Sequence, residues 1–266
     1  MAETVLDRIV EAILDRQREV PAADDLEARA RRLAEERFSR CPRSLRCALG
    51  CAGPSVIAEC KHASPSAGVL RADFDPVALA ESYQAAGAAA VSVVTEPGFF
   101  RGDPGWLPAV RARVSLPVLR KDFVVTERQL FETALAGADA VLLIQRILDA
   151  DRLAALLELA AELHLEVLLE IFADDDPSVA VESGAGIIGV NARDLATFAT
   201  DLGRVAAMAE VIPSDRVRVA ESGIHGPEDL ERLQAAGYDA FLIGERLVRS
   251  PNPGAALREL IGPPHG

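Results

Sequence analysis

Leu135-Ala136-Gly137-Ala138-Asp139-Ala140-Val141 decides the fold, because it recurs. The same small residues around a central glycine, followed by a short apolar run, stand at 85–91 (AAGAAAV), 182–188 (ESGAGII) and 235–241 (AAGYDAF). The glycines, Gly87, Gly137, Gly184 and Gly237, are 50, 47 and 53 residues apart. A glycine just past a helix end adopts the left-handed conformation that stops the helix. Each copy therefore reads as a helix terminus with a strand directly after it. A step of roughly fifty residues corresponds to two β–α units, which makes the copies the entries to strands two, four, six and eight of a repeating architecture.

Short apolar runs mark all eight strand positions. They lie at 56–60, 90–94, 118–120, 140–144, 166–170, 187–190, 217–220 and 240–243. Such runs, rich in β-branched residues and leucine and followed by polar or glycine-containing loops, are the mark of buried parallel strands. Amphipathic stretches such as 150–163 and 227–236 separate them. Eight such units predict an α/β protein, a single (β/α)8 TIM barrel. A doubly wound sheet is disfavoured, because no G-x-G-x-x-G follows the first strand.

Residues 1–54 stand apart as an N-terminal helical extension, expected to lie over the barrel mouth within one domain spanning 1–266. Leu6, Ile9, Val10, Ile13 and Leu14 have helical spacing. Pro21 interrupts, and 24–38 reads as a second helix with Leu26, Ala30 and Leu33 on one side and a solvated charged face. A loop with Gly50, Gly53 and Pro54 closes the extension.

Composition sets further bounds. The chain has 266 residues, 50% hydrophobic and 26% charged, with a formal net charge of −13. A chain of this length buries roughly 75% of its unfolded surface, enough for a large core. The acidic balance argues against nucleic-acid binding but leaves room for a small phosphate site. No run of apolar residues is long enough for a membrane span. The first twenty residues lack a signal-peptide layout, so a cytoplasmic location is expected. Among Cys41, Cys47, Cys51 and Cys60 only Cys47 and Cys51 have a metal-type spacing, and no second pair matches it, so no metal is expected.

Of 28 basic residues only Lys61 and Lys121 are lysine. Arginine stays protonated, whereas lysine can be tuned to give and take protons. Active sites of this barrel lie at the C-terminal strand ends, and both lysines fall there, with Glu59, Glu170 and Glu221. Strand alternation puts Glu59 and Lys61 on one face with Cys60 on the other, and Asn191 with Arg193 on a shared face. Five ionisable groups converging on one mouth point to a site rather than to packing. Ser222-Gly223 and Gly244-Glu245, after the last two strands, offer backbone N–H groups for a phosphate, Glu245 by its backbone alone. Phe100 and Phe123 are candidate ring contacts. His62, His164, His225 and His265 are scattered, with no ligand partner at strand or helix spacing.

These strand-end strings resemble the indole-3-glycerol-phosphate synthase family of tryptophan biosynthesis. The matching segments are Ile57-Ala58-Glu59-Cys60-Lys61, Ser64-Pro65-Ser66, Pro117-Val118-Leu119-Arg120-Lys121-Asp122-Phe123, Leu168-Leu169-Glu170, Gly189-Val190-Asn191-Ala192-Arg193-Asp194-Leu195, Val219-Ala220-Glu221-Ser222-Gly223-Ile224 and Phe241-Leu242-Ile243-Gly244-Glu245. The likeness runs over nearly the whole chain. It implies a carbon–carbon lyase that converts 1-(2-carboxyphenylamino)-1-deoxyribulose 5-phosphate into indole-3-glycerol phosphate, CO2 and water, with no cofactor. It further implies Lys121 as general acid and Glu170 as general base, with Lys61 and Glu59 as their coupled partners. Glu221 and Asn191 would orient groups, and Ser64, Phe100, Phe123, Leu142, Arg193 and Ser222 would contact substrate. Ser222, Gly223, Gly244 and Glu245 would hold the phosphate.

His62, Ala67, Phe172 and Ala192 depart from the family's usual residues, which bears on loop closure and KM rather than on the reaction. The resemblance assigns no partner beyond a phosphorylated small molecule, and leaves contacts with other enzymes of the pathway open. Two other readings are a phosphoribosyl-type isomerase of the same barrel superfamily and a catalytically silent barrel scaffold.

Overall fold

All four glycines of the repeat take positive φ, 96° at Gly87, 80° at Gly137, 79° at Gly184 and 105° at Gly237, and each hands the chain from a helix to a strand. The computed structural model describes residues 4–20, 25–40, 42–51, 53–194 and 199–262. The readings at Pro21, position 24, Cys41, Leu195 and His265 lie outside the described residues.

Among the described residues the extension supplies three helices with three placements. α1 (Val5–Glu19) starts at a capping box between Thr4 and Asp7 and buries Leu6, Ile9 and Ile13. α2 (Leu26–Arg40) buries Ala30 and Ala34, while Leu33 of the expected stripe is 37% exposed. Small side chains are what let this helix lie close along the barrel's flank. α3 (Leu45–Leu49) places Leu45 and Leu49 in the apolar cluster inside the barrel. Its cap residue Ser44 donates to Glu166 Oε1 (2.7 Å), and the Arg46 N–H donates to Glu166 Oε2 (2.9 Å). Glu166 begins a strand, so α3 plugs the end of the barrel opposite the mouth. A helix of five residues is too short to show a hydrophobic period.

The strands are β1 (Ser55–Cys60), β2 (Ala90–Val94), β3 (Val118–Lys121), β4 (Ala140–Ile144), β5 (Glu166–Phe172), β6 (Ile187–Asn191), β7 (Val217–Glu221) and β8 (Ala240–Ile243). They close a parallel barrel in chain order, with β8 paired to β1. Each expected run is a strand. β3, β5, β6 and β7 run one or two residues further than the apolar pattern, because the ladder pairs Val94 with Lys121, Phe172 with Asn191 and Asn191 with Glu221. Polar residues at these ends are thus held in strand geometry rather than in loops.

Alternation sorts the strand residues into two cores. Val56, Ala58, Val91, Val93, Val141, Leu143, Leu169, Ile171 and Val190 face the surrounding helices. Ile57, Leu119, Leu142, Leu168, Val219 and Leu242 fill the interior. The helices between strands are α4 (Pro76–Ala86), α5 (Trp106–Arg111), α6 (Glu127–Leu135), α7 (Ala150–Glu162), α8 (Ser178–Glu182), α9 (Leu202–Met208) and α10 (Pro227–Ala235). α11 (Glu245–Val248) and α12 (Pro253–Ile261) follow β8. α2 packs along α6. One element was not foreseen: Ala63–Ser64 pairs antiparallel with Gly68–Val69 in a small hairpin after β1. No helix among the described residues is long and apolar enough to cross a membrane.

Candidate active site

Interior side chains of such a barrel come in layers of four, contributed by alternate strands. Ile57 on β1, Leu119 on β3, Leu168 on β5 and Val219 on β7 belong to the apolar interior. Two residues further along the same four strands stand Glu59, Lys121, Glu170 and Glu221. One whole layer of the interior is therefore ionisable. Lys61 rises above it from the end of β1.

Two glycines make room for this layer. A Cβ on Gly189 of β6 would collide with the Glu221 carboxylate, and one on Gly244 with the Glu59 carboxylate. Glycine here serves close approach rather than an unusual backbone angle.

The charges are paired. Lys61 Nζ lies 2.7 Å from Glu59 Oε1. Lys121 Nζ lies 2.8 Å from Glu170 Oε2 and 3.4 Å from Glu221 Oε2. Glu59, Glu170 and Glu221 are all buried. Burial works against the Lys121 ammonium, but Glu170, Glu221 and Glu59 together outweigh it and raise its pKa. Burial pushes Glu59 up, yet Lys61 and Lys121 outweigh that and hold it below its ordinary value. Glu221 goes the other way. Burial drives it well above the usual carboxylate range; Lys121 pulls it down and Glu170 pushes it up again. Two ammonium groups thus face three carboxyl groups, and Glu221 is the one whose protonated form burial favours.

The layer forms the floor of a cavity of about 780 Å3. Its walls differ in chemistry. On the β3–β5 side stand Phe123, Leu142, Ile144 and Phe172, with Phe100 from the loop after β2; the Phe100 and Phe123 rings are 5.8 Å apart. On the β7–β8 side stand Ser222, Gly223, Gly244 and Glu245. Ser222 and Gly223 are both left-handed, at φ 66° and 73°. Val5, Leu6 and Ile9 of α1 line the cavity from above.

Every residue given a catalytic or binding role from the sequence borders this one cavity: Glu59, Lys61, Ser64, Phe100, Lys121, Phe123, Leu142, Glu170, Asn191, Arg193, Glu221, Ser222, Gly223, Gly244 and Glu245. Asn191 Oδ1 accepts from the Arg193 N–H (3.0 Å). Ser64 sits in the hairpin, where its Oγ accepts from the Ala67 N–H (3.2 Å). The Glu245 side chain, expected to matter only through its backbone, instead meets Arg249 (3.1 Å) and Arg193 (3.8 Å) at the rim. His62 stacks on Phe74 at 5.0 Å, away from the mouth.

Sequence reading missed several lining residues. Ile144 and Phe172 were legible, since each lies two residues beyond an inward residue. Phe172 carries Arg146 over its ring at 4.4 Å, and Arg146 is held by Asp174 (2.7 Å) and Asp175 (2.5 Å). Arg249 and Ser250 lie beyond α11, where strand periodicity carries no signal.

Comparison with known proteins agrees with this geometry. The family model described as indole-3-glycerol phosphate synthase matches residues 3–260. The chain is 47% identical to the indole-3-glycerol phosphate synthase of Carboxydothermus hydrogenoformans, over 87% of this chain and 90% of that protein. It is 44% identical to that of Koribacter versatilis, over 95% and 98%. Among solved structures it resembles 3-hexulose-6-phosphate synthase (TM-score 0.63, 18% identity, covering 77% of this chain and 97% of that one). It also resembles a mutant tryptophan synthase α-subunit from Pyrococcus furiosus (TM-score 0.59, 14% identity, covering 78% and 98%). At such identities these two likenesses speak for the fold alone.

Proposed function

The chain belongs to the indole-3-glycerol phosphate synthase family, a lyase family of tryptophan biosynthesis that acts on a phosphorylated small molecule, and from that membership we propose how its residues divide the work. The observation that carries the proposal is the ionisable layer beneath a mouth with one apolar and one glycine-rich wall.

The substrate has an aromatic ring with a carboxylate at one end and a phosphate at the other. The ring lies against Phe100, Phe123 and Leu142, with Ser64 and Arg193 near its carboxylate. The phosphate lies at Ser222-Gly223 and Gly244-Glu245, where backbone N–H groups receive it. With this polarity the ribulose ketone lies over Lys121. As the ring carbon attacks the ketone carbon, Lys121 gives its proton to the ketone oxygen. Loss of CO2 leaves its electron pair in the ring system. The new hydroxyl then leaves as water with a proton from Lys61, and Glu170 takes the proton from the ring carbon next to nitrogen, whose loss completes the indole.

Lys61 and Glu59 tune and anchor from the β1 side, and Asn191 and Glu221 bind hydroxyls. Burial favours the protonated form of Glu221, which can donate where a carboxylate could only accept. Paired acid and base groups of this kind contribute about 10²–10⁴-fold each. α1 excludes water from the mouth, within a single domain spanning the chain. The net charge of −13 supports a protein that binds no nucleic acid, and a cytoplasmic setting fits the reaction.

The test is direct. Purified protein incubated with the carboxyphenylamino substrate should produce indole fluorescence. No product would favour an isomerase or a silent scaffold instead.

A further inference from the structure

Glu96, two residues beyond β2, has no exposed side-chain surface, and nothing in the reaction above uses it. Its carboxylate is fully engaged. Oε1 accepts from the Gly98 N–H (2.8 Å), and Oε2 accepts from the N–H groups of Phe99 (2.6 Å) and Phe100 (3.1 Å). A further donor to Oε1 comes from outside the loop: Arg16 Nη2 of α1, at 2.8 Å. Three converging amides form a nest for an anion, and the guanidinium completes a charge-assisted set.

The loop so gathered reaches the mouth twice. The Phe100 ring packs on Phe123, and the Phe100 carbonyl accepts from the Ala63 N–H (3.1 Å), next to Ser64 in the hairpin. Gly102 locks the other end. Its N–H donates to the Glu96 carbonyl (2.7 Å), and a Cβ there would meet the Val94 carbonyl oxygen at 2.5 Å. One carboxylate therefore joins α1, the aromatic wall and the Ser64 hairpin.

We propose that Glu96 is a positioning residue for the reaction: through Arg16 it seats α1 on the loop after β2, and through the loop amides it fixes Phe100 and the hairpin that together receive the substrate's aromatic end. The inference rests on the reading of the mouth given above. Arg16 is 38% exposed, and without it the Glu96 carboxylate still accepts from three loop amides, so the ion pair is not what keeps the chain folded. Its removal should act on geometry rather than on folding.

The experiment compares wild type with Arg16→Met, Arg16→Lys, Glu96→Gln and the Arg16→Met/Glu96→Gln double variant, by kcat, KM and hydrogen exchange at the Phe99 and Phe100 amides of the substrate-free protein. Arg16→Met should keep Tm, raise KM about fivefold or more with kcat changed less than about twofold, and speed exchange at both amides. Arg16→Lys should rescue. In the Glu96→Gln background Arg16→Met should add nothing to KM. Unchanged KM and exchange in Arg16→Met, or independent effects in the double variant, would overturn the proposal. Should Glu96→Gln fail to fold, Arg16→Met and Arg16→Lys decide the matter. A wild type without turnover would sink the functional reading alone; exchange in Arg16→Met would still decide whether Arg16 acts through Glu96.

Discussion

The Lys121 ammonium and the Glu170 carboxylate meet at 2.8 Å inside the barrel, from strands two apart. The groups proposed as general acid and general base are therefore each other's resting partner. The pair holds the Lys121 proton tightly, since the surrounding carboxylates outweigh burial and raise its pKa. A developing oxyanion at the substrate ketone would be a better recipient than water. Acid strength here is thus conditional on substrate lying between the two groups.

Lys121→Arg tests that arrangement. A guanidinium keeps the charge and can still pair with Glu170 and Glu221, so far-UV circular dichroism and Tm should stay close to wild type. It donates protons poorly, so kcat should fall by about 10²–10⁴-fold. A kcat near wild type in the fluorescence assay would remove Lys121 from the role.

Gly189→Ala should be destabilising in proportion to its clash with Glu221. Overpacking of this kind costs about 1–3 kcal/mol, and the displaced carboxyl should lower kcat as well. In a Glu221→Ala background only the 3.2 Å contact with the end of the Leu168 side chain remains, and the same substitution should cost much less. Urea midpoints of the four proteins form the cycle; equal losses in both backgrounds would show that the two residues do not compete for space.

Glu221 also makes a pH prediction. Its folded pKa is raised above the ordinary 4.5, mainly by burial. The folded state therefore holds a proton that the unfolded state releases, and stability falls as pH rises from the unfolded value through the folded one. The contribution is complete below about pH 4.5 and lost above the folded pKa. Glu59, held low by Lys61 and Lys121, works in the opposite sense: its contribution is present above the unfolded value and lost as acid takes pH down through the folded one. Glu221→Gln should therefore raise Tm at pH 8 relative to wild type, with little change at pH 4, while lowering kcat. A Tm difference that does not depend on pH would contradict the assignment.

Much of this was legible because barrel geometry is local. Alternation along a strand puts Glu59, Lys121, Glu170 and Glu221 inward, and the scarcity of lysine marks two of the positions. The glycine repeat placed the strands because each glycine solves the same local problem of leaving a helix. What stayed hidden depends on long-range packing. Leu45 and Leu49 plug the barrel from a five-residue helix too short to show a period. Ala30 and Ala34, not the larger Leu33, face the flank because closeness to α6 decides that contact. Glu96 is an ordinary loop carboxylate in sequence, and becomes a junction only when Arg16 arrives from eighty residues away.

Ile13→Asp addresses the remaining element of the mouth. Ile13 is buried in an apolar cluster with Ile9 and Val125, against which Phe99, Phe100 and Phe123 pack; Phe123 also packs against the core inside the barrel. A carboxylate placed there has no partner to offset its burial, so α1 should leave its seat. The barrel should persist, because its strands and the α3 plug do not draw on this cluster. With the lid displaced, Phe100 and Phe123 lose one packing partner and the cavity opens to water. KM should rise tenfold or more, with a smaller change in kcat and a modest fall in Tm. An unchanged KM in a variant whose α1 has demonstrably come loose, by protease cleavage within residues 5–19, would show that the helix plays no part in holding substrate.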